Sequence, residues 1–221
     1  MPELSEHPAA HIAGTLSAVD RYDALGCLAA LRTAANSGSS AWLVAEVLAP
    51  LLHEAGARWR AGRYTIVQEH MLSSAVMRLL CGELDRHNSR VHQSAPVVAF
   101  TTLAGDRHGM GALIAAVVAA QHGVCAVQLG ADLPVDELVM LASHQPLRAV
   151  ALSIVAQPSV IDALQQLHEL RQRLPEAVEI WIGGAGGAQL ERAQLPAGSL
   201  LMSTIELYLE RLRTLMRDSA A

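Results

Sequence analysis

From residue 97 onward the chain has a repeating pattern. Short runs of Val, Ile, Ala and Leu, at 97–101, 125–129, 149–155, 179–182 and 200–202, alternate with helix-length segments. The helical stretches fall at about 112–122, after Pro134, after Pro158-Ser159 and at 204–217. Strands separated by whole helices pair in parallel, because each crossover needs a dozen or more residues. The expectation is a doubly wound, Rossmann-like parallel sheet over 95–221. Such sheets bind ligands at the carboxyl ends of their strands. The loops of interest are therefore 103–111, 130–134, 153–159, 183–187 and 203–204.

The preceding part, 16–88, reads as a helical bundle. Leu25, Leu28 and Leu31 lie at helical spacing in a first helix that stops at Asn36-Ser37-Gly38. Ser39 or Ser40 caps a second, which runs to about Arg60 and contains Pro50 as a kink or a split. Ala61-Gly62 ends it. Thr65 with Gln68 three residues on forms a capping box for a third helix, to about Arg86. Residues 1–15 are expected to be a flexible arm and 87–94 a polar linker.

Half the residues are apolar, 52%, while only 3% are aromatic, which favours an α + α/β protein over a disordered one. All 16 basic residues are Arg, dispersed along a chain of net charge −5, which argues against direct nucleic-acid binding. Cys27, Cys81 and Cys125 stand far apart, a pattern of a reducing, cytoplasmic setting. The first residues show no signal-peptide pattern, and no apolar run is long enough to span a membrane.

Within the sheet half, the loop after the first strand reads Asp106-Arg107-His108-Gly109-Met110-Gly111. A neutral imidazole is a good ligand for a transition metal, and its second nitrogen needs an acceptor to fix the tautomer. Asp106 stands two residues away for that role. Gly111 allows a tight turn into the helix. Ser153 ends the third strand and Gly183-Gly184 the fourth. A small hydroxyl and paired glycines on the same rim describe a slot beside a metal ligand. Gly130 and Thr204, at the heads of two further loops, complete the candidate set with Val155.

In order and spacing, these residues resemble the cobalamin-binding fold of methionine synthase and the corrinoid proteins. Forty-one residues separate Gly111 from Ser153, and 27 separate Val155 from Gly183. The resemblance implies that His108 displaces the dimethylbenzimidazole tail and becomes the lower cobalt ligand, with Asp106 as its hydrogen-bond partner. It implies that Ser153, Gly183 and Gly184 line the pocket of the displaced tail, and that Ser159 continues the His–Asp relay. Val155 stands where Leu is usual in that family.

A corrin ring has a second face, and the helices before the linker are expected to cap it. There Trp59 is followed, after nine residues, by Glu69-His70. This spacing resembles the cap of light-sensing, adenosylcobalamin-dependent regulators of the CarH type. By that resemblance Trp59 packs on the upper axial group, Glu69 and His70 line its pocket, and light breaks the cobalt–carbon bond. The cofactor would be adenosylcobalamin, or hydroxo- or aquocobalamin. The residue after Trp, a His in some of those sensors, is Arg60 here, so a second His ligand would have to be His70, His7 or His11. Singly, the two arm histidines read as solvated surface. That family's DNA-binding domain is expected to be missing, since the 221 residues leave no room for one. The chain is in this respect similar to the AerR/PpaA antirepressors, which implies a transcriptional repressor or other regulatory protein as partner, with a light-dependent homo-oligomer as a further outcome. Catalysis is not expected. The alternative is a corrinoid methyl carrier of a methyltransferase system. A third reading is the small subunit of a mutase, against which the helical cap argues.

Overall fold

The computed structural model describes residues 7–155 and 159–219, with 159–161 described by their backbone alone. The chain divides into two compact units, Met1–Glu83 and Leu84–Ala221.

The first unit is helical. Helix α1 (Pro8–Asp20) opens with Pro at its first position, where the missing N–H is no loss. This corrects the expected arm over 8–15, where the backbone is helix, and the rest of that expectation over 1–6 lies outside the described residues. His11 and Thr15 are buried, and His11 packs edge-on against Trp42 with ring centroids 6.2 Å apart. His11 is thus not solvated surface, whereas His7 is exposed.

Helix α2 (Ala24–Asn36) starts at Asp23, whose Oδ1 accepts from Gly26 N–H at 2.8 Å. It buries Leu28 and Leu31, but Leu25 is 77% exposed. Ser39 Oγ accepts from Trp42 N–H at 3.1 Å and caps α3 (Ser40–Trp42). A π-helical stretch (Leu43–Leu48) follows and leads into α4 (Ala49–Arg60). Pro50 explains the π register. It has no N–H for the carbonyl four residues back, and its ring crowds that carbonyl. The helix widens by one residue, with Ala49 N–H bonding Val44 C=O, instead of breaking. After Gly62, at φ +68°, Thr65 and Gln68 form the reciprocal capping box of α5 (Ile66–Asn88).

In the second unit, among the described residues, five parallel strands form one sheet in the order β2-β1-β3-β4-β5. They are β1 (Val97–Thr101), β2 (Cys125–Gln128), β3 (Leu147–Ser153), β4 (Glu179–Gly183) and β5 (Ser199–Leu201). Between them run α6 (Met110–Gln121), α7 (Val135–His144), α8 (Ser159–Arg173) and the short α9 (Gly184–Gly187), and α10 (Ile205–Asp218) ends the chain. The chain moves to one side from β1 to β2 and to the other from β3 to β5, so the switch point lies between β1 and β3.

Side-chain alternation sorts the two faces. Ala99, Val150, Leu152, Ile180 and Ile182 pack with Leu138 of α7 and Leu167 and Leu170 of α8. Phe100, Ala151 and Trp181 point to the other face, toward α6 and α10, where Trp181 meets Tyr208 edge-on at 6.1 Å. The free edge at β2 is blunted by Asn88. Its amide donates to Ala126 C=O at 2.8 Å and accepts from Ala126 N–H at 3.2 Å, standing in for one residue of a neighbouring strand. No helix among the described residues is long and apolar enough to cross a membrane.

Candidate functional site

The loop between β1 and α6 is fixed before any ligand arrives. Thr102, at the end of β1, is fully buried; its hydroxyl donates to Asp106 C=O and accepts from Asp132 N–H at 2.9 Å. Asp132 sits on the neighbouring 130–134 loop with φ +63°, a conformation Asp tolerates better than most residues. Its N–H also donates to Asp106 C=O at 3.1 Å, and its Oδ1 accepts from Gly105 N–H at 2.8 Å. Thr101 Oγ1 donates to Gly130 C=O at 3.1 Å, so the ends of both loops hang on β1.

That frame presents Asp106, which is 4% exposed. One carboxylate oxygen accepts from His108 N–H at 3.0 Å and from His108 Nδ1 at 2.8 Å; the other accepts from Val155 N–H at 2.9 Å. Burial alone would raise the Asp106 pKa. The bonds from Val155 and His108 outweigh it and hold the carboxyl below its usual range. An ionised carboxylate accepts only, so the proton of neutral His108 lies on Nδ1 and the lone pair on Nε2. The His108 side chain is 62% exposed. The result is an imidazole with a fixed tautomer and an accessible metal-binding nitrogen.

Beside it lies a cleft of about 420 Å³ on the Phe100–Trp181 face. Gly111, Ser153, Gly183, Gly184 and Thr204 all line it. A Cβ on Gly111 would stand 2.5 Å from Ser153 Oγ, so Gly111 and Ser153 face each other directly. Ser153 Oγ is buried with no hydrogen-bond partner. A buried polar atom without a partner is costly, and one aimed into a cleft fits a ligand that supplies the partner.

The two paired glycines do different jobs. A Cβ on Gly184, at φ +87°, would sit 2.4 Å from Ile154 C=O, because β3 ends against this turn and Gly186 N–H bonds the same carbonyl at 2.8 Å. Gly184 therefore locks the rim. A Cβ on Gly183 would meet only Met202 C=O, at 3.8 Å, so Gly183 leaves open space in the cleft. Gly109 approaches Gly130 and Ala131 across the two loops.

Arg107 does not join this group. Arg107 points to solvent, 86% exposed, with Asp132 3.4 Å away. The side chain of Ser159, and with it the expected relay, lies outside the described residues; the second Asp106 oxygen accepts from the backbone N–H of Val155. In the helical unit, Glu69 Oε2 and His70 Nδ1 are 2.5 Å apart, and Ser73 Oγ donates to Glu69 Oε1 at 2.7 Å. Burial raises the Glu69 pKa, but the Ser73 and His70 bonds prevail and lower it. Trp59, on the last turn of α4, is 50% exposed, and Ile66 and Val67 at the start of α5 are exposed as well.

Thr102, Asp132 and the Trp181–Tyr208 floor of the cleft were not singled out from the sequence. Asp132 had a signal, since an Asp before Leu-Pro on a strand-end loop suits a left-handed turn.

Comparison with known proteins adds three observations. Residues 12–80 match the family model described as a B12 binding domain. The chain is 36% identical over 140 residues to the HTH-type transcriptional repressor CarH of Myxococcus xanthus, a match covering 63% of this chain and 46% of that protein. The chain thus spans about half the length of this curated relative. In fold it is similar to the monomethylamine corrinoid protein of Methanosarcina barkeri, with a TM-score of 0.66 over 90% of this chain and 96% of the other, at 19% identity. Residues 12–80 are thus similar to the B12 binding domain family, the chain is similar in sequence to CarH, and its fold is similar to that of a corrinoid protein.

Proposed function

We propose that this chain is a cobalamin-binding regulator, not an enzyme, in which His108 is the lower axial cobalt ligand and the displaced nucleotide tail occupies the cleft lined by Ser153, Gly183, Gly184 and Thr204. The observation that carries the reading is Asp106. It engages His108 Nδ1, leaves Nε2 for a metal, and sits beside a cleft holding an unpaired buried hydroxyl. One histidine is enough here because a corrin brings its own equatorial ligands. The residues present fit the group: Ser153 supplies a hydrogen bond, Gly183 supplies room, and Gly109 and Gly130 keep the rim beside His108 free of side chains.

For the helical unit, the proposal is that Trp59 packs on the upper axial group, with Glu69 and His70 lining its pocket; the family match over 12–80 and the exposed Trp59 support this. When bound, adenosylcobalamin supplies a cobalt–carbon bond that light breaks. The chain then acts as a cytoplasmic light sensor working through a regulatory protein partner, in the manner of an antirepressor. The likeness to CarH supports the regulatory role; the dispersed arginines and net negative charge support a protein partner over DNA. The test is the absorption spectrum and oligomer size of the protein loaded with adenosylcobalamin in the dark, before and after green light. A spectral change accompanied by altered size or partner binding is expected. An unchanged spectrum refutes light sensing, and methyl transfer to a thiol by a methyltransferase would establish the carrier role instead.

A further inference from the structure

The cleft beside His108 has few hydrogen-bond donors to offer, because those of its floor are already engaged. Trp181 Nε1 donates to Glu179 at 2.7 Å, and Arg211 holds that carboxylate in place. Tyr208 OH donates to Ala115 C=O at 2.7 Å. Thr204 Oγ1 accepts from Leu207 N–H at 3.3 Å as the cap of α10. Ser203 lies at the exposed mouth. Among the described lining side chains, that leaves Ser153 Oγ as the buried hydroxyl without a partner, on walls otherwise built from Phe100, Ile114, Val118 and Ala151.

One spare hydroxyl among apolar walls defines a chemical preference. We infer that the cleft selects cobamides whose lower base is benzimidazole-like, apolar around its edge with a single free ring nitrogen, over cobamides with a purine base. This rests on the proposal that the displaced tail occupies the cleft. A benzimidazole joined to ribose through one nitrogen keeps one acceptor, the other nitrogen, and Ser153 Oγ–H can donate to it. Its fused carbocycle meets the apolar walls. Adenine adds further ring nitrogens that need donors, and the described donors of Trp181, Tyr208 and Thr204 are already engaged. A buried polar group without a partner costs enough to weaken binding roughly tenfold or more.

The experiment is equilibrium binding to the full chain, in the dark, of three adenosylated probes. They are cobalamin, an adenine-tailed cobamide, and cobinamide, which has no nucleotide tail. The expected order is cobalamin tightest, with the adenine-tailed cobamide at least about tenfold weaker. Ser153→Ala should weaken cobalamin binding by roughly fivefold to tenfold and leave cobinamide binding unchanged, a pattern that general loss of structure would not give. If cobinamide is weak but the two tailed cobamides bind equally, the base preference is wrong and the tail site stands. If cobinamide binds as tightly as cobalamin, the tail does not use the cleft, and both the preference and its premise fall. Unchanged cobalamin affinity in Ser153→Ala would overturn the role given to that hydroxyl.

Discussion

Replacing Asp106 by Asn tests the ligand loop at its centre. The carboxylate accepts from three donors through two oxygens: His108 N–H and Nδ1 on one, Val155 N–H on the other. An amide has one oxygen, so the pattern cannot be kept. If the Asn oxygen faces His108, its NH2 faces the Val155 N–H, and two donors meet in a site 4% exposed. If the NH2 faces His108, the ring must accept at Nδ1, which moves its proton to Nε2 and disables the nitrogen meant for cobalt. The first arrangement leaves a buried donor unpaired and costs about 1–3 kcal/mol. At a urea slope of about 2 kcal/mol/M, that lowers the apo protein's midpoint by roughly 0.5–1.5 M. The second turns the NH2 toward the His108 backbone N–H, which loses its acceptor at a comparable cost, and it also weakens histidine ligation about tenfold to a hundredfold. Urea unfolding followed by circular dichroism, with the spectrum of the loaded protein, reads both. A variant unchanged in both would refute the reasoning, since one of the two losses is unavoidable.

Substitutions at three further positions bear on separate parts of the structure. Gly184→Ala places a Cβ 2.4 Å from Ile154 C=O at φ +87°, so the β3–β4 rim must move; a loss of about 2–4 kcal/mol is expected in thermal unfolding, with poorer cofactor retention. Asp132→Ala removes the acceptor of Gly105 N–H and places Ala at φ +63°, which should cost about 1–3 kcal/mol, while Asp132→Asn keeps both an acceptor and the tolerance for that φ and should remain near wild type. Glu69 has a folded pKa below its unfolded one, so its contribution is full above about pH 4.3, the unfolded value, and is lost as pH falls through the lower folded value. The stability gap between wild type and Glu69→Gln should therefore close on acidification, and a gap independent of pH would contradict the Ser73 and His70 bonds as its source.

What the sequence made legible was whatever is local. The Thr65–Gln68 box, the Ser39 cap and the Gly62 stop depend on neighbours a few residues away, and all are present. Strand–helix alternation gave the parallel sheet, and Asp106 reaching His108 is a contact across two residues. Contacts across the switch point were not legible. Val155 N–H reaches Asp106 over 49 residues, and Thr102 meets Asp132 over 30, pairings fixed only when β1, β2 and β3 align. Leu25 shows the limit of periodicity. It has the right spacing for the core but lies on the helix face turned to solvent, because α2 starts only at Ala24 and its buried stripe runs through Leu28 and Leu31. The helix from Pro8 was hidden because its few large apolar side chains carry little periodic signal, while His11 and Thr15 are its buried members.

The central claim, that His108 binds cobalt from below, is tested most directly by electron paramagnetic resonance of the reduced, cobalamin-loaded protein. The unpaired electron of Co(II) couples to the nitrogen directly beneath it. With ¹⁵N-labelled histidine and unlabelled cobalamin, the splitting should change from the three-line pattern of ¹⁴N to the two-line pattern of ¹⁵N, and His108→Ala should abolish it. A three-line pattern that survives the labelling would mean that the cofactor's own base is still the ligand, which would contradict the account.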